Sequence, residues 1–227
     1  MSESTNHTPK FPKARFAPLL LAWFAKNRRD FPWRETNSPY KIAVAEALLQ
    51  KTAAINVLLV YEEFLARFPR VEDLAQADED IVLDLLQPLG LPARSRRLHQ
   101  LAIDVTVKYN GEFLQTEQEL RELPGVGPYG AAAIACQAFG EHAPMIDINV
   151  MRIFHRVFSV AFKPRNAPTK ALRALVLDYM PEGGAREYNL ALLDLGALLC
   201  HSHAPECNLC PLVKLCNYHL EELNAKS

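Results

Sequence analysis

The sequence predicts an all-α fold. Apolar residues recur at three- and four-residue intervals along most of the chain. No segment sustains the apolar/polar alternation of a half-buried strand. Helix punctuation separates the periodic stretches: Ser-Pro at a start, glycine or proline at the ends. There is no internal repeat and no low-complexity tract.

Taken in order, residues 1–10 are polar and are expected to be disordered. Phe16, Leu19, Leu20, Trp23 and Phe24 then share one face of a first helix. Ser38 is an N-cap with Pro39 in the first turn, and the helix they open is expected to run to about Val60. Tyr61, Phe64, Leu65 and Phe68 form a second apolar series, stopped by Pro69. Short helices follow around Val71, Leu74, Ile81, Leu85 and Leu86. Leu89-Gly90-Leu91-Pro92 breaks the pattern, and Leu98, Leu101, Ala102 and Val105 resume it. Glu117–Leu123 reads as a short helix, Pro124–Pro128 as a tight hairpin, and Tyr129–Phe139 as an Ala-rich helix closed by Gly140.

The 227 residues suit one large domain or two intimate lobes. With 49% hydrophobic and 22% charged residues, neither disorder nor a coiled coil dominates. A net charge of -1 argues mildly against nucleic acid, whose binding rests largely on phosphate neutralisation. Local basic clusters answer that objection, at Lys26–Arg29 and at Arg94, Arg96 and Arg97, while acids gather between Glu72 and Asp84. No run approaches the roughly 18 apolar residues of a membrane span, and the N-terminus has no apolar signal core. A cytoplasmic protein with no membrane partner is expected.

Four of the five cysteines lie in the last 28 residues, as Cys200-x6-Cys207-x2-Cys210-x5-Cys216. Four soft thiolates suit an iron–sulfur cluster or zinc, and the spacing leaves both open. Cys136 reads as a small buried residue, and His201, His203 and His219 as surface histidines. Gly125 and Gly127 bracket Val126 in the hairpin. They suit an ordinary helix–helix turn, or a loop that offers bare amides to a phosphate at a helix N-terminus. Glu46 is the only charged residue between Lys41 and Lys51, so it is either solvent-facing or a carboxyl held in an apolar helix. Asp147 stands where another helix starts, as an N-cap or something more.

The segment LPGVGPYGAAAIACQAFGEHAPMIDINVMRI, with FPWR, SPYKIAVAEALLQKT and FLARFP upstream and the four cysteines downstream, resembles the helix-hairpin-helix DNA glycosylases of the endonuclease III and adenine glycosylase type. The likeness covers most of residues 30–217 and is nearest the thymine-DNA mismatch branch. It implies two helical lobes with a DNA-binding groove between them. One is a six-helix barrel over about 36–139; the other is an iron–sulfur lobe from 11–35 and 140–227.

In that family Asp147 matches the catalytic aspartate, Glu46 the glutamate that assists the departing base, and Gly125, Val126 and Gly127 the phosphate-binding hairpin. Cys200, Cys207, Cys210 and Cys216 match the ligands of a 4Fe-4S cluster. A raised pKa at Glu46 would suit that role. Tyr129 takes the place of the lysine that forms an imine with the sugar in bifunctional relatives, so hydrolysis without strand cleavage is expected. Gln50 and Lys51 are candidates to face the opposite strand, and Arg152 and Arg156 to touch phosphates or pair with acids.

The expected partner is double-stranded DNA carrying a mismatched or damaged base, bound by a monomer. The chain ends eleven residues after Cys216, which favours T or U opposite G over A opposite G or 8-oxoguanine. A catalytically silent iron–sulfur DNA-binding module is the other alternative. Gly130 and Leu91-Pro92 depart from the family pattern, at the base pocket and at the region that probes the opened duplex.

Overall fold

The computed structural model describes residues 12–90, 92–161, 163 and 167–225; the expectations for residues 1–10 and for Leu91 lie outside them. Among the described residues there are twelve α-helices and no strand. They are α1 (Lys13–Asn27), α2 (Pro39–Leu49), α3 (Ala54–Arg67), α4 (Val71–Ala75), α5 (Glu79–Leu86), α6 (Pro92–Tyr109), α7 (Glu117–Leu120), α8 (Pro128–Phe139), α9 (Ile148–Phe158), α10 (Lys170–Tyr179), α11 (Ala185–Leu198) and α12 (Asn217–Ala225). No helix among them is long and apolar enough to cross a membrane. The chain divides into two compact units, one formed by Asp30–Met145 and the other by Met1–Arg29 with Ile146–Ser227.

In the Asp30–Met145 unit α2 is the central helix. Ser38 Oγ accepts the Lys41 amide at 3.3 Å, and Pro39 occupies the first turn, where its missing N–H leaves nothing unsatisfied. Tyr40, Ile42, Val44, Ala45 and Leu48 are buried on every side of it, as befits a helix enclosed by α3, α6 and α8. α8 approaches closely because Ala131, Ala132, Ala133 and Ala135 carry nothing beyond Cβ. α6 also packs on α4 and α5, and Leu74, Val82, Leu86, Leu98, Leu101, Ala102 and Val105 of these helices are buried.

The helix expected from Ser38 to Val60 is two helices. The chain breaks at Gln50–Ala53, with Lys51 at φ +58°, and α3 then runs through what the sequence suggests is a second series. The physical cause is Arg94, only 4% exposed. Its Nη1 donates to Leu48 O (2.9 Å), Gln50 O (2.7 Å) and Thr52 Oγ1 (2.9 Å), and its Nη2 to Leu89 O (3.3 Å) and Gly90 O (3.1 Å). A buried guanidinium thus satisfies the terminal carbonyls of α2 that would otherwise be orphaned. It follows that Arg94 is no part of a basic surface, contrary to the sequence expectation. Arg96 is exposed and pairs with Glu79 at 3.0 Å.

In the other unit Phe16 is fully buried amid Phe154, Phe158, Tyr179 and Tyr188, with ring centroids 5.2–6.3 Å away. These rings join α1, α9, α10 and α11. Asp194, wholly buried in α11, accepts the Arg29 amide at 2.9 Å and Arg29 Nε at 2.6 Å. Two charge-assisted bonds are what a buried carboxylate requires. Arg29 is therefore engaged in the core, which removes it from the basic cluster expected at Lys26–Arg29.

Candidate functional site

The hairpin joins α7 to α8. α7 ends at Leu120, three residues before the expected Leu123, and hydrogen-bonded turns (Leu123 N to Leu120 O, 3.2 Å; Val126 N to Leu123 O, 3.1 Å) lead into the loop. Its two glycines do different work. Gly125 sits at φ +77°, where an L side chain is strained, and a Cβ there would lie 2.9 Å from Arg97 Cβ. Gly127 has φ −83° and would tolerate a side chain, so its contribution is an open approach to the first amides of α8, which lack helical acceptors. Gly140 closes α8 in the left-handed conformation, at φ +72°.

The hairpin borders a cavity shared with α2, α6 and α8. Glu46 and Gln50 line it from α2, Arg97 from α6, and Gly125, Val126 and Gly130 from the hairpin and α8. Gln50 Nε2 donates to Gly125 O at 3.3 Å, tying the end of α2 to the hairpin. Glu46, Gln50, Gly125 and Val126 are therefore brought together. Lys51 is exposed at the break after α2 and Tyr129 is half-buried in the first turn of α8; neither belongs to the cavity lining.

Asp147 belongs to the other unit. It is the N-cap of α9: Oδ1 accepts the amides of Asn149 (2.8 Å) and Val150 (2.9 Å), while Oδ2 accepts Asn149 Nδ2 (2.6 Å). Burial pushes its pKa above the ordinary carboxylate value, and these three donors with the nearby Arg152 charge only partly offset that. The side chain is fixed from one side by donors and half-exposed on the other. Such a carboxylate can stabilise a developing cation or activate water.

Behind Asp147 runs a network that the sequence gives no direct sign of. Arg152, 8% exposed, donates from Nη2 to Asn149 Oδ1 (2.7 Å) and Gly196 O (2.9 Å), and from Nε to Cys200 O (2.7 Å). Asn149 is thus held by Arg152 while its amide holds Asp147. One turn further, Arg156 donates to Cys200 Sγ (3.2 Å), His201 O (2.6 Å) and Ser202 O (3.1 Å), and its guanidinium lies 4.8 Å from the centre of the Tyr218 ring. The sequence suggests phosphates or acids as partners for these two arginines. They bind instead the side-chain amide oxygen, carbonyls and sulfur of their own unit. The isolated Gly196 within α11 is the one available signal: a Cβ there would stand 2.4 Å from Asn149 Cβ.

The four cysteines of the C-terminal segment line one cavity, with Leu212 and His219 among its other walls. Burial pushes the Cys210 thiol up to about 12; the Leu212 amide opposes this, and the other three sulfurs add to it. Cys216 shifts upward for the same first reason. Among the described residues no three His, Cys, Asp or Glu side chains converge on a single metal-ion position. His203 is exposed, and His201 lies 3.5 Å from Glu206. Cys136 is buried within α8, as expected.

A hairpin between helices, a fixed carboxylate opening the helix that follows, and the surrounding all-α architecture define a class. The chain belongs to the HhH-GPD superfamily of base excision DNA repair proteins, whose family model matches residues 44–177. Within it, the chain is 34% identical to the thymine/uracil-DNA glycosylase of Methanothermobacter thermautotrophicus, over 96% of this chain and 98% of that one. It is 38% identical to the thymine-DNA glycosylase of Aeropyrum pernix, over 88% and 92%. The fold is similar to that of a thermostable thymine-DNA glycosylase, with a TM-score of 0.87 at 34% identity, covering 92% of this chain and 97% of the other.

Proposed function

We propose that the protein is a monofunctional DNA glycosylase that hydrolyses the N-glycosidic bond of thymine or uracil opposite guanine in duplex DNA, acting as a monomer. The observation that carries the reading is the held carboxylate of Asp147 in a chain whose similarity to thymine/uracil-DNA glycosylases spans nearly its whole length. A mispaired base is cheaper to unstack than a paired one, which favours its capture. As the bond breaks, its electrons leave with the base, which takes a proton from Glu46 directly or through water. Positive charge grows on the sugar and Asp147 stabilises it; water then adds to the sugar carbon and gives its proton to Asp147. Tyr129 carries a phenol, which forms no imine with the sugar, so the product is an intact strand with an abasic site. The hairpin amides bind backbone phosphate without regard to sequence.

The test uses duplexes with T or U opposite G, A opposite G or 8-oxoguanine, and oxidised pyrimidines, each analysed with and without alkali. Strand breaks at T and U opposite G that need alkali are the expected result. Cleavage confined to A would move the protein to adenine excision, and equal cleavage without alkali would end the monofunctional reading.

A 4Fe-4S cluster held by Cys200, Cys207, Cys210 and Cys216 fits the donor set. The four cysteines line one cavity, and four thiolates are the ordinary ligand set of such a cluster. Burial and the neighbouring sulfurs disfavour bare thiolates at Cys210 and Cys216, and a cationic iron core would stabilise them. When bound, the cluster supplies structural rigidity to the loop that Arg152 and Arg156 already grip. Protein purified without air is expected to carry about four irons and four acid-labile sulfides per chain; stoichiometric zinc without sulfide would overturn the assignment.

A further inference from the structure

Gly130 is the third residue of α8, in ordinary helical conformation with no positive φ. A Cβ added there would meet only Val126 Cγ1, at 3.8 Å, an ordinary contact. Neither backbone geometry nor packing therefore calls for glycine, and helix propensity opposes it. What Gly130 does border is the cavity beside Glu46. That cavity has about 30 Å³ of room, where about 10–15 Å³ already suffices for one water, so a methyl group can enter it. Its walls are unlike one another: Glu46, Gln50 and Arg97 are polar, while Ala47, Val126 and Ile134 are apolar.

We propose that Gly130 is a specificity-determining position, whose missing side chain leaves the recess that takes the 5-substituent of the excised pyrimidine. The inference rests on the thymine/uracil reading above. C4 and C5 are neighbours in the pyrimidine ring. In this pose the C4 oxygen meets the polar groups beside Glu46, and the 5-position meets Val126, the apolar neighbour of Gly130. Uracil presents hydrogen there and thymine a methyl group; only the second needs the recess.

The test compares single-turnover excision of T and of U, each opposite G, by wild type, Gly130→Ala and Gly130→Thr. Thymine excision is expected to fall relative to uracil by about tenfold or more, the threonine variant losing most, while thermal midpoints stay at or above the wild-type value. An unchanged T:U ratio in folded variants, or an equal loss of both activities, would overturn the proposal. The alanine variant keeps the test available should threonine perturb folding. The wild-type lanes decide the underlying reading separately: no activity on T or U opposite G would sink that reading itself, whereas wild-type activity with an insensitive ratio would sink only the role of Gly130.

Discussion

An Asp147→Asn variant is expected to keep its fold and its affinity for DNA while excision falls by a factor of about 100–1,000 or more. Asparagine is as good an N-cap as aspartate, and its carbonyl oxygen can still accept the amides of Asn149 and Val150, so α9 should begin where it does now. What disappears is the negative charge, together with the acceptor of the Asn149 Nδ2 bond. In the native protein that charge is partly desolvated: burial raises the Asp147 pKa more than its hydrogen bonds and Arg152 lower it. The folded form therefore takes up its proton at a higher pH than the unfolded chain does. The stability this group contributes is present at low pH and is lost as the pH rises through the folded-state pKa. At neutral pH the ionised carboxylate thus works against the fold, which offsets the lost Asn149 bond, and Asp147→Asn should leave the thermal midpoint close to the wild-type value. The same shift sets the acid limb of the activity profile above the ordinary aspartate range. Excision on a G·T duplex, DNA binding and thermal unfolding, measured on one preparation, check all three points; full activity in the variant would remove Asp147 from the chemistry.

Local signals were the legible part of this molecule. Ser38-Pro39 opens α2, the hairpin lies between α7 and α8, and Asp147 opens α9, because each depends on side-chain chemistry within a few residues. The break at Gln50–Ala53 was hidden because it contains no glycine or proline, and apolar residues that suit a helix lie on both sides of it. The residue that fixes the break, Arg94, is distant in sequence, and an arginine bonded to carbonyls looks in sequence like any surface cation. The same holds for Arg152 and Arg156: their spacing of four shows that they share a helix face, but not that the face meets the cysteine loop. Cysteine spacing left zinc and iron–sulfur open, because four soft thiolates are ligands for both.

A Gly196→Ala variant should be destabilised and should also lose excision activity, the opposite of what Gly130→Ala does to stability. Both glycines lie within helices, and in isolation alanine favours each helix by up to about 1 kcal/mol. At Gly196 the new methyl would stand 2.4 Å from Asn149 Cβ and 3.3 Å from Asn149 Cα, atoms that cannot rotate away. Relief requires α9 and α11 to separate, and overpacking of this kind costs about 3 kcal/mol at the upper end of its usual range. The difference leaves a net loss of about 2 kcal/mol, a fall in thermal midpoint of about 4–8 °C for a chain of this length. The functional loss has a separate cause. Asn149 donates to Asp147 and accepts from Arg152, and Arg152 also binds Gly196 O and Cys200 O, so the displaced residue is the one that orients the carboxylate. Excision measured well below the midpoint, where the variant is folded, should therefore still be depressed, with its acid limb moved upward as Asp147 loses donors. A folded variant with wild-type activity and an unmoved pH profile would mean that Asn149 does not position Asp147.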